Sequence, residues 1–303
     1  MNRIKKLVNS YPFLRKVLLP VYIFIVGAIY QVYKVLHLHF SYRLADHNTV
    51  RFLPKGQIAF ALFMNGFEKR ELALYQVLIK QGDVIIDAGA NIGLYSILGS
   101  RIVGEKGKVY SFEPSGANFD ILKKNIQLNK CNNIVPVNMG LGDKTGEILE
   151  LFQEEGSGDA EKYVFRSSIN ETAVSAPDSK VMHVSEKISL ETLDNFRSKM
   201  NLSKIDFLKI DVEGFEYFLL KGAENALKEN PGMIILFECA SHLAERAGVT
   251  KAEVLQFLEG LGFEIFYWNA IDKTWSDDAA GVWASGQLLA GRNLMDRIRS
   301  IKV

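Results

Sequence analysis

The chain reads as an α/β fold, a mostly parallel sheet with helices on both faces, preceded by an N-terminal helical and apolar appendage. Three observations predict it. Five short apolar runs, Asp83–Ala88, Lys108–Phe112, Ile134–Met139, Ile205–Ile210 and Met233–Phe237, suit strands covered on both sides. Helical segments near 93–103, 115–129, 215–229 and 250–261 alternate with them, as crossovers in a parallel sheet do. The first run also passes straight into a glycine turn and a helix, Gly89-Ala90-Asn91-Ile92-Gly93.

Composition sets the outer limits. The chain has 303 residues, 48% hydrophobic and 23% charged, which suits a packed core and excludes a disordered or multi-span class. A formal net charge of +1 gives no reason to expect nucleic acid as a partner. Two cysteines, Cys131 and Cys239, are too few for a disulfide scaffold and fit a reducing compartment. The expected location is the cytoplasm or the inner face of a membrane.

Charge is unevenly spread. Residues 1–47 hold four Lys and three Arg against the single acid Asp46, a net of +6, so the remainder carries −5. Within them Val17–Tyr33 runs 17 residues without a charge. As a helix it would span roughly 26 Å, slightly short of a hydrocarbon core of about 30 Å. Three readings stay open: a membrane anchor or interfacial helix, a signal peptide with Val26-Gly27-Ala28 as cleavage site, or a helix buried against the main domain or a dimer partner. Export is the weakest, because the cofactor argued below is cytosolic. A membrane surface met through residues 1–45 is the corresponding partner, and the oligomeric state is undetermined.

Next, Thr49–Phe63 reads as two short strands about the Pro54-Lys55-Gly56 turn, and Phe67–Lys80 as an amphipathic helix. Phe263–Asn269 and Gln287–Ala290 add two strands near the end. An excursion of some 60 residues separates the third and fourth core strands; Glu147–Phe152 and Lys180–Ile188 flank its polar stretch. The expected division is an appendage with a short hairpin (1–65), a main domain (66–292, excursion 146–188) and a tail (293–303).

The glycine turn lacks the G-x-G-x-x-G spacing of dinucleotide sites, with Asn91 where a second glycine would admit a pyrophosphate. Asp87 at the strand end, expected to face the same crevice, would repel a pyrophosphate and suits a cofactor bearing an ammonium and a sulfonium, as S-adenosyl-L-methionine does. Glu113, 24 residues beyond Gly89 at the end of the second strand, is placed to accept hydrogen bonds from ribose hydroxyls. The bland alternatives are a helix cap for Asp87 and a surface carboxylate for Glu113.

Asp83–Gly93, Phe112–Pro114, Lys209–Glu216 (KIDVEGFE) and Leu236–Glu238 together resemble the FkbM-type S-adenosylmethionine-dependent methyltransferases, in the same order over about residues 66–292. The resemblance implies a Rossmann-like class I methyltransferase domain of seven strands, the last antiparallel, and O-methylation of sugars or natural products. The cofactor set is then Asp87, Gly89, Ala90, Asn91, Gly93, Glu113 and Pro114, with Gly142 and Asp143.

Asp211 falls at the end of the fourth core strand, where it would face the cofactor turn if strands one and four are neighbours. Asp211, Glu213 and Glu216 lie within six residues, which is costly without a cation, a proton or a polar ligand; helix capping is the bland reading. Among five histidines only His242 follows a core strand, on the same edge as Glu238. The expected reaction is in-line attack of a substrate oxygen on the sulfonium methyl, with His242, Asp211 or Glu213 as base, Glu238 as a supporting acceptor and Lys209 orienting Asp211. Asp211, Glu213, Glu238 and His242 could ligate a divalent metal, but no metal-spacing motif supports one and none is expected. The acceptor expected is a hydroxyl-bearing glycan or lipid-linked precursor. A nicotinamide-dependent sugar oxidoreductase and a non-catalytic binding protein of the same fold are the alternatives.

Overall fold

The computed structural model describes residues 12–43, 49–64, 67–154, 162–165, 182–269, 274–276, 283–295 and 298. It divides into two compact units, Met1–Phe67 and Glu68–Val303.

The first unit begins with helix α1 (Pro12–Val35), followed by strands β1 (Phe40–Arg43) and β2 (Thr49–Phe52) and helix α2 (Gly56–Phe63). The strands pair antiparallel, burying Phe40, Tyr42, Val50 and Phe52 on one face, as a period of two requires. The Tyr30 ring of α1 meets Phe40, Phe60 and Phe63 edge-on. The hairpin expected about Pro54 is corrected here. Thr49–Phe52 pairs with Phe40–Arg43 upstream, and the residues after Pro54 are helical. Proline brings no N–H to a ladder, and beyond it the buried residues Ala59 and Leu62 recur at helical spacing. Among the described residues no helix is long and apolar enough to cross a membrane. Arg3, Lys5 and Lys6 lie outside the described residues.

In the second unit, helix α3 (Lys69–Leu78) leads into β3 (Val84–Ala88), α4 (Leu94–Val103), β4 (Lys108–Phe112), α5 (Gly116–Asn129) and β5 (Ile134–Val137). After the excursion come α6 (Leu193–Lys199), β10 (Phe207–Ile210), α7 (Glu216–Lys221), α8 (Glu224–Glu229), β11 (Ile234–Glu238), α9 (Ser241–Arg246) and α10 (Lys251–Gly260). Strands β12 (Glu264–Asn269), β13 (Thr274–Ser276) and β14 (Trp283–Gly291) complete the sheet, in the order β13-β12-β14-β11-β10-β3-β4-β5. The seven expected strands are present, and β14 runs antiparallel to β11 and β12; β13 adds a three-residue edge. Strands β10 and β11, buried along their length except for Glu238 at the end of β11, form the middle of the core because both their faces are covered.

Chain order reverses between β3 and β10, which pair in parallel. That switch point is where open α/β sheets leave a crevice beyond the strand ends. The helix expected over 215–229 is broken in two at Gly222, where a Cβ would stand 1.8 Å from the Gly142 carbonyl oxygen.

The excursion forms a second sheet, β6-β9-β7-β8, from β6 (Gly140–Leu141), β7 (Ile148–Glu154), β8 (Lys162–Phe165) and β9 (Met182–Glu191). Its core joins Leu149, Leu151, Ile188 and Leu190 to Phe215. The rest of the polar stretch between β7 and β9 lies outside the described residues. Buried Glu191 anchors this sheet to α6: its carboxylate accepts from Lys199 Nζ at 2.7 Å, Asn195 Nδ2 at 2.8 Å, the Thr192 N–H at 3.0 Å and the Thr145 hydroxyl. Burial pushes the carboxyl up, but these partners outweigh it and hold it at about 2. Glu191→Gln should therefore lower stability by about 2 kcal/mol at pH 7. A depressed folded value contributes stability above the unfolded one. The difference in urea unfolding free energy should thus persist down to pH ~4.5 and shrink toward pH ~2.

Candidate functional site at the strand switch point

The site grows from the ends of β3, β4 and β10. The Gly89 and Ala90 N–H groups both donate to the Phe112 carbonyl at 2.9 Å, which ties the glycine turn to β4. Gly89, Asn91 and Gly93 all have positive φ, a backbone that glycine and asparagine adopt at least cost. At Gly89 the reason is contact as well: an added Cβ would lie 1.8 Å from the Asp211 carbonyl oxygen. The Asp211 N–H in turn donates to the Ala88 carbonyl at 3.0 Å, so Asp211 stands directly against the turn.

Glu113 is buried and closes the turn from the β4 side. Its Oε2 accepts from the Asn91 N–H at 2.8 Å and its Oε1 from the Ser115 N–H at 3.0 Å. These two backbone donors fix the carboxylate against the turn, and a carboxylate, when ionised, only accepts hydrogen bonds. Next to it, Glu186 of β9 accepts from the Gly116 N–H at 2.8 Å and the Ser115 hydroxyl at 3.2 Å, which brings the second sheet to the start of α5.

Asp87 lies beneath the turn, 2% exposed, where it binds the Ser96 hydroxyl, itself 2.7 Å from that of Ser111. In register it sits between Ser111 and Lys209. Lys209 is completely buried: its Nζ reaches Asp211 Oδ2 and the Ile210 carbonyl, each at 3.3 Å, and lies 5.0 Å from the centre of the Tyr95 ring. The Tyr95 hydroxyl donates to Glu68 Oε2 at 2.5 Å. One ammonium thus serves three carboxylates, Asp211, Glu68 and Asp87, whose attraction keeps it protonated against the pull of burial. Burial pushes Asp87 up to about 6 and Glu68 up to about 7, with Lys209 restraining both. This end of the sheet holds more acid than base, and Asp211, with its side chain 31% exposed, is the member open to a ligand.

Glu216 is buried and accepts from the Gly214 N–H at 3.0 Å; burial pushes it up to about 7, with Asp211 and Glu238 adding to the rise. Glu213 takes the left-handed backbone, φ 52°. Glu238 is half-buried at the end of β11, 3.5 Å from the Nε2 of buried Gln287 on β14. Gln287 Oε1 is a buried acceptor without a partner among the described residues. His242 is exposed on the first turn of α9 and has no hydrogen bond to Asp211, Glu213 or Glu238 among the described residues. Gly142 is bonded to Glu191, and an added Cβ there would meet Leu190 and Phe215; Gly140 faces Pro114, so residues 140–143 run along the same strand ends. Among the described residues no three His, Cys, Asp or Glu side chains are grouped to hold a metal ion. Both thiols are buried, and burial pushes Cys239 up to about 12, far from a reactive thiolate.

The family model "Methyltransferase FkbM domain" matches residues 87–265, from the Asp87 end of β3 into β12. The chain belongs to this family. "Methyltransferase 1" of Beauveria bassiana is 26% identical over 146 residues, 46% of this chain and 58% of that protein. The hexuronic acid methyltransferase AglP of Haloferax volcanii is 26% identical over 151 residues, 49% of this chain and 53% of that protein. The 31-O-demethyl-FK506 methyltransferase FkbM of Streptomyces tacrolimicus is 27% identical over 199 residues, covering 61% and 75%. The chain thus spans little more than half the length of the first two.

As an FkbM-family methyltransferase domain, the chain sets the nicotinamide-dependent alternative aside. Its site also holds residues that the sequence did not single out: Glu68, Tyr95, Ser96, Glu186 and Gln287. Glu68 falls inside the helix expected over Phe67–Lys80; in the structure it precedes that helix with a left-handed φ of 33°.

Proposed function

We propose that this chain transfers the methyl group of S-adenosyl-L-methionine to a hydroxyl of a sugar, glycolipid or polysaccharide precursor, with a membrane surface meeting residues 1–45. The observation that carries the reading is Glu113, a buried carboxylate pinned by two backbone N–H groups against the glycine turn at the end of β4. The donor set fits the cofactor: Glu113 would take the ribose hydroxyls, and the surplus of carboxylates around Lys209 favours a cationic ligand. When bound, the cofactor supplies an activated methyl group on a sulfonium.

The chain's own residues then have separable tasks. The turn Gly89–Gly93 and Pro114 shape the cofactor's seat, with Gly142 and Asp143 alongside. Lys209 holds Asp211 Oδ2, so that the exposed part of this carboxylate is oriented toward the crevice. Asp211 accepts the proton of the acceptor hydroxyl, ahead of Glu213 and His242, because it alone of the three stands both on Lys209 and against the turn. Glu238 and Gln287 accept hydrogen bonds from other hydroxyls of the acceptor. The sugar assignment draws on AglP, whose name specifies a hexuronic acid, and the hydroxyl on the O-demethyl substrate in the name of the Streptomyces relative.

Titration calorimetry with S-adenosylhomocysteine tests the cofactor half. Glu113→Ala removes acceptors worth about 1.5–3 kcal/mol, so affinity should fall some 10- to 100-fold. Unchanged affinity would sink the assignment. Transfer of radioactive methyl from the cofactor to cell-envelope glycans tests the acceptor half.

A further inference from the structure

Between Val21 and Val35, α1 presents an exposed apolar stripe. Val21, Phe24, Ile25, Ile29, Val32 and Val35 are all exposed, Phe24 to 77%. Their spacing of three, four, eight, eleven and fourteen from Val21 gathers them into one stripe of the helix. Gln31 borders it beside Phe24, and Lys34 lies further round, next to the opposite side on which Val26 and Tyr30 are buried. Tyr30 is held edge-on by Phe40, Phe60 and Phe63, so one side of α1 packs within its own unit while the Val21–Val35 stripe lies outside that packing. A monomeric soluble surface rarely presents so continuous an apolar strip.

We infer that α1 lies in the plane of an anionic lipid bilayer, its Val21–Val35 stripe sunk among the acyl chains and the net positive charge of residues 1–47 drawn to the headgroups. Charge selects this occupant over a second copy of the chain. Residues 1–47 carry a net +6, and pairing two such segments face to face would bring like charges together, whereas acidic headgroups neutralise them. The packed side of α1 selects an in-plane helix over a spanning one, since a spanning helix would have to give lipid its Tyr30 face as well. The inference deepens the membrane partnership proposed above and does not depend on methyl transfer.

Flotation of the full chain with vesicles is the test. Binding is expected to phosphatidylglycerol-containing vesicles, to weaken at least tenfold in 0.5 M salt (where the Debye length is about 4 Å against about 10 Å at 0.1 M), and to be weak on phosphatidylcholine alone. Phe24→Glu combined with Ile29→Glu should lower partition at least tenfold with an unchanged melting temperature and unchanged S-adenosylhomocysteine affinity, because both side chains are exposed. A Phe24→Trp variant should be quenched by lipids brominated near the headgroup more than by those brominated at the chain end. Absence of flotation with acidic vesicles overturns the inference, as does a concentration-dependent dimer abolished by the same two charges. Stronger quenching from the chain ends would overturn the in-plane placement. Loss of cofactor binding in the wild type would count against the methyltransferase reading alone.

Discussion

Replacing Lys209 with methionine is expected to cost about 3–5 kcal/mol of folding stability at pH 8, and much less at pH 5. The ammonium is completely buried, and Asp211, Glu68 and Asp87 are the acids drawn to it. Methionine fills similar space, so the loss is that of charge. Without it the carboxyls must either ionise unpaired in a dry interior or hold their protons. Asp87 and Glu68 already sit high, at about 6 and about 7, and in the variant they rise further. Groups whose folded value exceeds the unfolded one stabilise at low pH and lose that contribution as pH climbs through the folded value. Protons can therefore stand in for the lysine at pH 5 but not at pH 8. Urea unfolding of both proteins at the two pH values measures this; an equal penalty at both would show that Lys209 does not neutralise these acids.

The fate of Lys209 also shows what a reader of the sequence can and cannot see. Its strand was legible because Ile205–Ile210 is an apolar run, and its closeness to Asp211 because residues two apart on a strand share a face. That Asp87 would lie beside it needed the strand order, which sequence leaves open until β3 and β10 are known to be neighbours. Glu68 needed more still: its carboxylate arrives through the hydroxyl of Tyr95, a residue of another helix. The expectation that Asp87 faces the crevice followed from its place at the strand end, yet Ser96 and Ser111 bury it one layer down. Periodicity reports which face of an element is covered, and it is silent about which distant hydroxyl or carboxylate supplies the cover. The misread segment after Pro54 has the same origin, since proline marks a break in chain direction without saying whether a turn or a helix follows.

Gly89→Ala is expected to lower stability by about 2–5 kcal/mol and to abolish cofactor binding in the fraction that still folds. Two costs combine. The φ of 78° is unfavourable for any L side chain, by roughly 1–2 kcal/mol. The new Cβ would also stand 1.8 Å from the Asp211 carbonyl oxygen, far inside contact distance, and forced overpacking adds about 1–3 kcal/mol. Neither party yields easily, because the Asp211 N–H is bonded to Ala88 and the Gly89 N–H to Phe112. Relief of the clash must therefore part β3 from β10 at their ends, where Glu113 and Asp211 are assembled. Gly146→Ala separates the two costs: it shares the φ of 78° but has nothing within 4 Å of the added carbon, so it should lose only the conformational part. Urea unfolding gives the stabilities and calorimetry with S-adenosylhomocysteine the binding. Equal losses in the two variants would mean that β3 and β10 are not in contact at Gly89, and the seat proposed for the cofactor would lose its floor.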